Sequence, residues 1–174
     1  MPLIEKSTCS LPLLLRNRHV QSVFPSVFRH VPTLYTNRER IDTPDGDFMG
    51  IDRVRNGSFG CAIILHGLEG HAQRSYMKGM VRVLRNTGRD CATVNMRGCS
   101  GEPNRLPKSY HQGSSDDMST IVEHVSAADY ERIVLIGFSL GGNVILKYLV
   151  EGLWNIPSAI VAAAAVSVLC DLAG

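Results

Sequence analysis

Four short apolar runs constrain this chain more than any other feature: Cys61 to Leu65, Cys91 to Val94, Ile133 to Ile136 and Ile160 to Leu169. Most are too short for buried helices, and their lack of alternation marks strands covered on both faces. Between them the period changes. Tyr76, Met77, Met80, Val81 and Leu84 fall on one face of a helix beginning near Ser75, Lys78, Arg82, Arg85 and Arg89 on a solvated one, and Gly88 closes it. A second helix is expected over Asp117 to Ala128, capped by Ser114, Ser115 or Asp116, and a third over Leu140 to Glu151, ended near Gly152. Strands and helices alternating in this way predict an α/β fold, a mostly parallel sheet with helices on both faces.

The start of the chain reads differently. Pro2, Pro12, Pro25 and Pro32 exclude a long helix, so residues 1–38 are expected to form an irregular arm with one or two short helices. It should pack through Leu13 to Leu15, Val23, Phe24 and Phe28. The domain proper is placed at residues 39–174. It opens on Glu39 to Ile41 and Phe48 to Val54, which flank Pro44-Asp45-Gly46-Asp47, the turn of a hairpin.

Composition removes several classes of function. The 174 residues, 44% of them apolar, suit one domain with a sizeable core. A formal charge of +2 is small, although residues 1–110 hold 16 Lys and Arg against 9 Asp and Glu, and residues 111–174 hold 2 against 7. Without dense Lys/Arg runs, no nucleic-acid partner is expected. Cys9, Cys61, Cys91, Cys99 and Cys170 are odd in number and contain no Cys-x-x-Cys pair, which predicts free thiols in a reducing, cytoplasmic compartment. Pro12 breaks the Leu11 to Leu15 stretch, no cleavage site follows it, and the longest apolar run is about a dozen residues, short of the ~20 that span a bilayer. No metal and no cofactor are expected, because ligand spacings, a phosphate loop and a dinucleotide fingerprint are all absent.

One motif carries chemistry. Gly137-Phe138-Ser139-Leu140-Gly141 fits G-x-S-x-G directly after a strand and directly before a helix, the setting of a nucleophile elbow. An abrupt reversal there strains the apex residue, so small residues must stand two positions away. The Ser139 hydroxyl is then lifted clear of the sheet beside a helix N-terminus, with the Leu140 N–H as a first oxyanion donor. The loop after Leu65, His66-Gly67-Leu68-Glu69-Gly70, should supply a second donor, the Leu68 N–H. The bland alternative is that Gly141-Gly142 only permits close helix–sheet packing and Gly67 to Gly70 is a plain turn.

With these motifs in view, the chain resembles the α/β-hydrolase fold, in the group of the YheT-like, embryogenesis-associated and abhydrolase-domain 1 and 3 proteins. The likeness starts at Leu15-Arg16-Asn17-Arg18-His19-Val20-Gln21-Ser22 and Asp45-Gly46-Asp47-Phe48. It continues through His66 to Gly70, Asn95-Met96-Arg97-Gly98-Cys99-Ser100-Gly101-Glu102-Pro103-Asn104-Arg105, Tyr110-His111-Gln112-Gly113 and Gly137 to Asn143. The resemblance implies a serine hydrolase of carboxylic esters, with short-chain or lipid ester substrates. Ser139 would be the nucleophile, and the Leu140 and Leu68 N–H groups the oxyanion hole.

In this fold the triad runs Ser, acid, His along the chain, whereas His19, His30, His66, His71, His111 and His124 all precede Ser139 and Asp171 is the only aspartate after it. The 174 residues are therefore expected to match only the N-terminal half to two-thirds of the family, through about the sixth strand. Base and acid would come from a missing C-terminal part, leaving this chain alone nearly inactive and its last strand an exposed apolar edge. His66 is expected to bond the backbone of the oxyanion loop, His111 to brace its loop or line the pocket, and His124 to lie at the surface. Arg97 and Arg105 are expected to brace their loop through backbone carbonyls or Glu102, and Cys99 to be a buried thiol. An alternative is a catalytically inactive hydrolase-fold fragment serving as a scaffold or binding module.

Overall fold

The computed structural model describes residues 10 and 12–168 of the chain. Cys9, Leu169, Cys170 and Asp171 lie outside the described residues, and with them the end of the last expected strand. The chain divides into two compact units, Met1–Val31 and Pro32–Gly174.

In the first unit a 3-10 turn, Leu13–Arg16, leads into helix α1, Arg18–Phe28. Asn17 caps it, its side-chain oxygen accepting the N–H groups of His19 (2.9 Å) and Val20 (3.4 Å). The helix runs on through Pro25. Leu13, Val23, Phe24 and Phe28 are exposed.

The second unit is built on strands β1 (Asn37–Asp42), β2 (Phe48–Val54), β3 (Gly60–Leu65), β4 (Asp90–Asn95), β5 (Arg132–Phe138) and β6 (Ile160–Val166). They form one sheet in the order β1-β2-β4-β3-β5-β6. The hairpin is antiparallel, Asp42 opposite Phe48, and β2 pairs antiparallel with β4; β4, β3, β5 and β6 are mutually parallel. Gly46 takes a φ of 86° in the hairpin turn, which explains the glycine there.

Helices α2 (Ser75–Asn86), α3 (Ser115–Ser126) and α4 (Leu140–Val150) cover both faces. Along β3, Cys61, Ile63 and Leu65 point to a core shared with Met118, Ile121 and Val125 of α3 and with Val144, Ile145 and Tyr148 of α4. Ala62 and Ile64 point the other way, toward Met77 and Val81 of α2. The mixed sheet flanked by helices is the expected α/β fold. Two details differ. Ser114 precedes α3, but its hydroxyl accepts the His111 N–H (3.0 Å) instead of capping the helix. The strand before Ser139 runs two residues further than expected, through Gly137 and Phe138.

Candidate active site

Ser139 is the single residue between β5 and α4. It takes φ 49° and ψ −118°, a conformation that costs an L residue about 1–3 kcal/mol. The turn is tight for a measurable reason. A Cβ on Gly137 would lie 2.5 Å from the Gly141 carbonyl oxygen and the Gly142 Cα, and one on Gly141 would lie 2.5 Å from the His66 carbonyl oxygen. Both glycines thus let α4 fold back against β3 and β5. The Ser139 N–H donates to Val166 of β6 (2.8 Å), while its carbonyl accepts the N–H groups of Gly142 (2.9 Å) and Asn143 (3.2 Å) and starts the helix. The side chain is exposed, and among the described residues no group hydrogen-bonds its Oγ. Leu140 N–H, at the first helical position, has no intrahelical acceptor.

The loop after β3 stands against this turn. A Cβ on Gly67 would lie 3.3 Å from Ser139 Cβ, so only glycine allows the loop backbone so close without a shift. His66 is fully buried; its Nδ1 bonds the Gly67 carbonyl (2.7 Å) and its Nε2 accepts the Met96 N–H (3.2 Å). These partners assign the proton to Nδ1. Burial pulls the His66 pKa down to about 4, so the ring is neutral and both nitrogens are committed. The Gly67 N–H donates to Tyr76 Oη (3.2 Å) and the Glu69 N–H to Tyr110 Oη (2.6 Å). Leu68 N–H, between them, has no acceptor among the described residues.

The loop that holds Leu68 thus stands against the turn of Ser139 and Leu140 through Gly67, and His66 bonds the backbone of that loop. Two further histidines are held elsewhere. His111 Nδ1 accepts the Gly113 N–H (3.0 Å), bracing its loop, and His124 Nε2 bonds Glu39 Oε2 (3.0 Å) on β1. Despite partial burial, His124, Arg53 and Arg55 hold the Glu39 carboxyl down to about 2. The expected partners of Arg97 need correction, and Glu102 serves neither arginine but pairs with Arg40, while Arg105 does reach a backbone carbonyl. Buried Arg97 is gripped by Asp117 (2.6 Å), Asp45 (3.1 Å) and Asp47 (3.2 Å), tying the loop after β4 to the β1–β2 turn and to α3. Arg105 bonds Asp42 and the Gly46 carbonyl, each at 3.0 Å. Cys99 is half-buried beside Tyr110. Sequence reasoning missed the hydroxyls of Tyr76 and Tyr110. Tyr76 read as one more apolar residue of a helix face, and only the Tyr-His-x-Gly string pointed at Tyr110.

A family model described as the alpha/beta hydrolase fold matches residues 63–171. The chain belongs to the α/β-hydrolase fold family. That span corrects the expectation that the likeness is of an N-terminal half to two-thirds beginning in the arm: the matched domain lies in the C-terminal two-thirds of this chain, and it begins within β3. The chain is 31% identical to the Escherichia coli (strain K12) protein YheT over 134 residues, covering 74% of this chain and 39% of that protein. Against the human phospholipase ABHD3 the identity is 30% over 135 residues, covering 72% of this chain and 33% of the other. The chain thus spans about two-fifths or less of the length of these relatives. The esterase Pf2001 of Pyrococcus furiosus superposes with a TM-score of 0.63 at 23% identity, over 76% of this chain and 48% of its own, which supports the fold. This member of the α/β-hydrolase fold family is accordingly related to ester-hydrolysing proteins. Among its described residues no helix is long and apolar enough to cross a membrane.

Proposed function

We propose that the protein is a serine hydrolase of carboxylic esters that works through an acyl-Ser139 intermediate. The observation that carries this reading is the strained, exposed Ser139 between strand and helix, with the Leu140 and Leu68 N–H groups unused by any carbonyl among the described residues. Ser139 Oγ attacks the ester carbonyl carbon, and the carbonyl oxygen gains negative charge and accepts hydrogen bonds from the Leu140 and Leu68 N–H groups. Collapse of the tetrahedral species expels the alcohol, and water then hydrolyses the acyl-serine. Each such donor is worth about 3 kcal/mol of transition-state stabilisation.

The serine must lose a proton, and three of the histidines are poor acceptors. His66 has both nitrogens engaged, His111 serves its own loop and His124 pairs with Glu39. The base and its acid partner are accordingly assigned to polypeptide beyond these 174 residues. Substrates are short-chain or lipid esters, a reading supported by the relationship to phospholipase ABHD3. Free thiols at Cys61, Cys91 and Cys99 support a reducing, cytoplasmic setting.

The test is reaction of the protein, expressed from its complete reading frame, with a fluorophosphonate probe, the adduct being mapped by mass spectrometry. Modification of Ser139 that vanishes in Ser139→Ala is expected. Labelling that survives Ser139→Ala overturns the assignment. The 174 residues alone should turn over esters barely above background; vigorous turnover would show that one of their own histidines is the base.

A further inference from the structure

We propose that Tyr76 and Tyr110 are positioning residues that aim the Leu68 N–H at the oxyanion by fixing the peptide on either side of it. The proposal rests on the serine-hydrolase reading above. Three consecutive peptide planes make the loop. The first, between His66 and Gly67, is fixed by its N–H on Tyr76 Oη at 3.2 Å. The third, between Leu68 and Glu69, is fixed by its N–H on Tyr110 Oη at 2.6 Å. In the middle plane the Gly67 carbonyl accepts from His66 Nδ1 (2.7 Å) and from Gly70 N–H (3.0 Å). A trans peptide points its N–H opposite to its carbonyl, so the Leu68 N–H is directed away from all of those partners. It is the one N–H of the three left without an acceptor among the described residues.

The loop needs such a hold. Gly67 to Gly70 close a turn whose third residue, Glu69, has φ 53°, where glycine is normally required. The Tyr110 hydroxyl bonds the N–H of that same residue. Both tyrosines also reach fixed neighbours: the Tyr76 ring packs edge-on against Phe138, the residue before Ser139 (centroids 5.0 Å), and Tyr110 against His66 (5.9 Å). The oxyanion loop is thereby referenced to the elbow on one side and to the Tyr-His-x-Gly loop on the other. Burial raises the pKa of both phenols, so each stays neutral and adds no charge to oppose the oxyanion.

The test uses Tyr76→Phe and Tyr110→Phe in the protein expressed from its complete reading frame. Each is expected to lower kcat for a soluble ester about tenfold with KM and the pH profile unchanged, as a misaimed donor does and a lost acid or base does not. Hydrogen exchange resolved to single residues should quicken about tenfold at Gly67 in the first variant and at Glu69 in the second. Adding Glu69→Gly to Tyr110→Phe should restore much of the kcat, because glycine holds the turn unaided. A kcat within twofold of wild type, exchange unchanged at Gly67 and Glu69, or a displaced pH profile overturns the proposal. A wild-type protein whose Ser139 does not react removes the hydrolase reading and this role with it, a failure told apart by exchange that still responds to the tyrosines.

Discussion

At Ser139 the backbone holds a conformation suited to glycine, and a side chain is kept there at a cost in stability. Ser139→Gly should therefore exceed Ser139→Ala in stability by about 1 kcal/mol in urea unfolding while both lose reaction with the probe. Equal stabilities would mean that the turn is unstrained. His66 offers a second test at this scale. Its folded pKa of about 4 lies below the ordinary 6.5, so the unfolded chain takes up its proton first. Stability from this group is full above pH 6.5 and drains as pH falls toward 4, about 2 kcal/mol of it between pH 7 and 5. His66→Gln should flatten that slope even if it lowers stability at pH 7; an unaltered slope would place the titration elsewhere. Ser139 was legible in the sequence because its motif is local. The commitment of both His66 nitrogens was not, since Met96 lies 30 residues away.

The elements themselves were largely visible in advance. Short apolar runs without alternation became β3, β4, β5 and β6, and the apolar face of α2 put Met77 and Val81 into the core. Caps were less visible, because Ser114 has a choice of partners and its hydroxyl takes the His111 N–H three residues before it. The join between β5 and α4 carries the sharpest demand on sequence. Gly137→Ala would force a Cβ to 2.5 Å from backbone atoms of Gly141 and Gly142, which cannot swing aside as a side chain can. It should cost at least about 2 kcal/mol in urea unfolding. Gly46→Ala, with open space around its Cβ, should cost less although its φ is also positive. Similar losses at the two positions would contradict the packing account of the elbow.

For the whole molecule, the Arg97 cluster is the contact that the sequence could not show. Its carboxylates stand 20, 50 and 52 residues away, and nothing in composition or period couples them. The Thr43 hydroxyl and then Arg97 hold the Asp45 carboxyl well below its usual range. At Asp47 burial is outweighed by hydrogen bonds from Asn104, Arg105, Phe48 and Arg97, which lower its carboxyl, so this stability is present above about pH 4 and lost as pH falls. Arg97→Met would strand Asp47 and Asp117 without their cation and should cost about 3–5 kcal/mol at pH 7 by thermal or urea unfolding. A loss under 1 kcal/mol would mean that the loop after β4 is held by other means. The proposed site is one hydroxyl and two amide hydrogens at the C-terminal ends of the parallel strands. A crystal structure of the protein phosphonylated at Ser139 tests that arrangement directly. The phosphoryl oxygen should lie about 2.7–3.1 Å from the Leu68 and Leu140 nitrogens; an oxygen turned to solvent, with both amides bonded elsewhere, would contradict it.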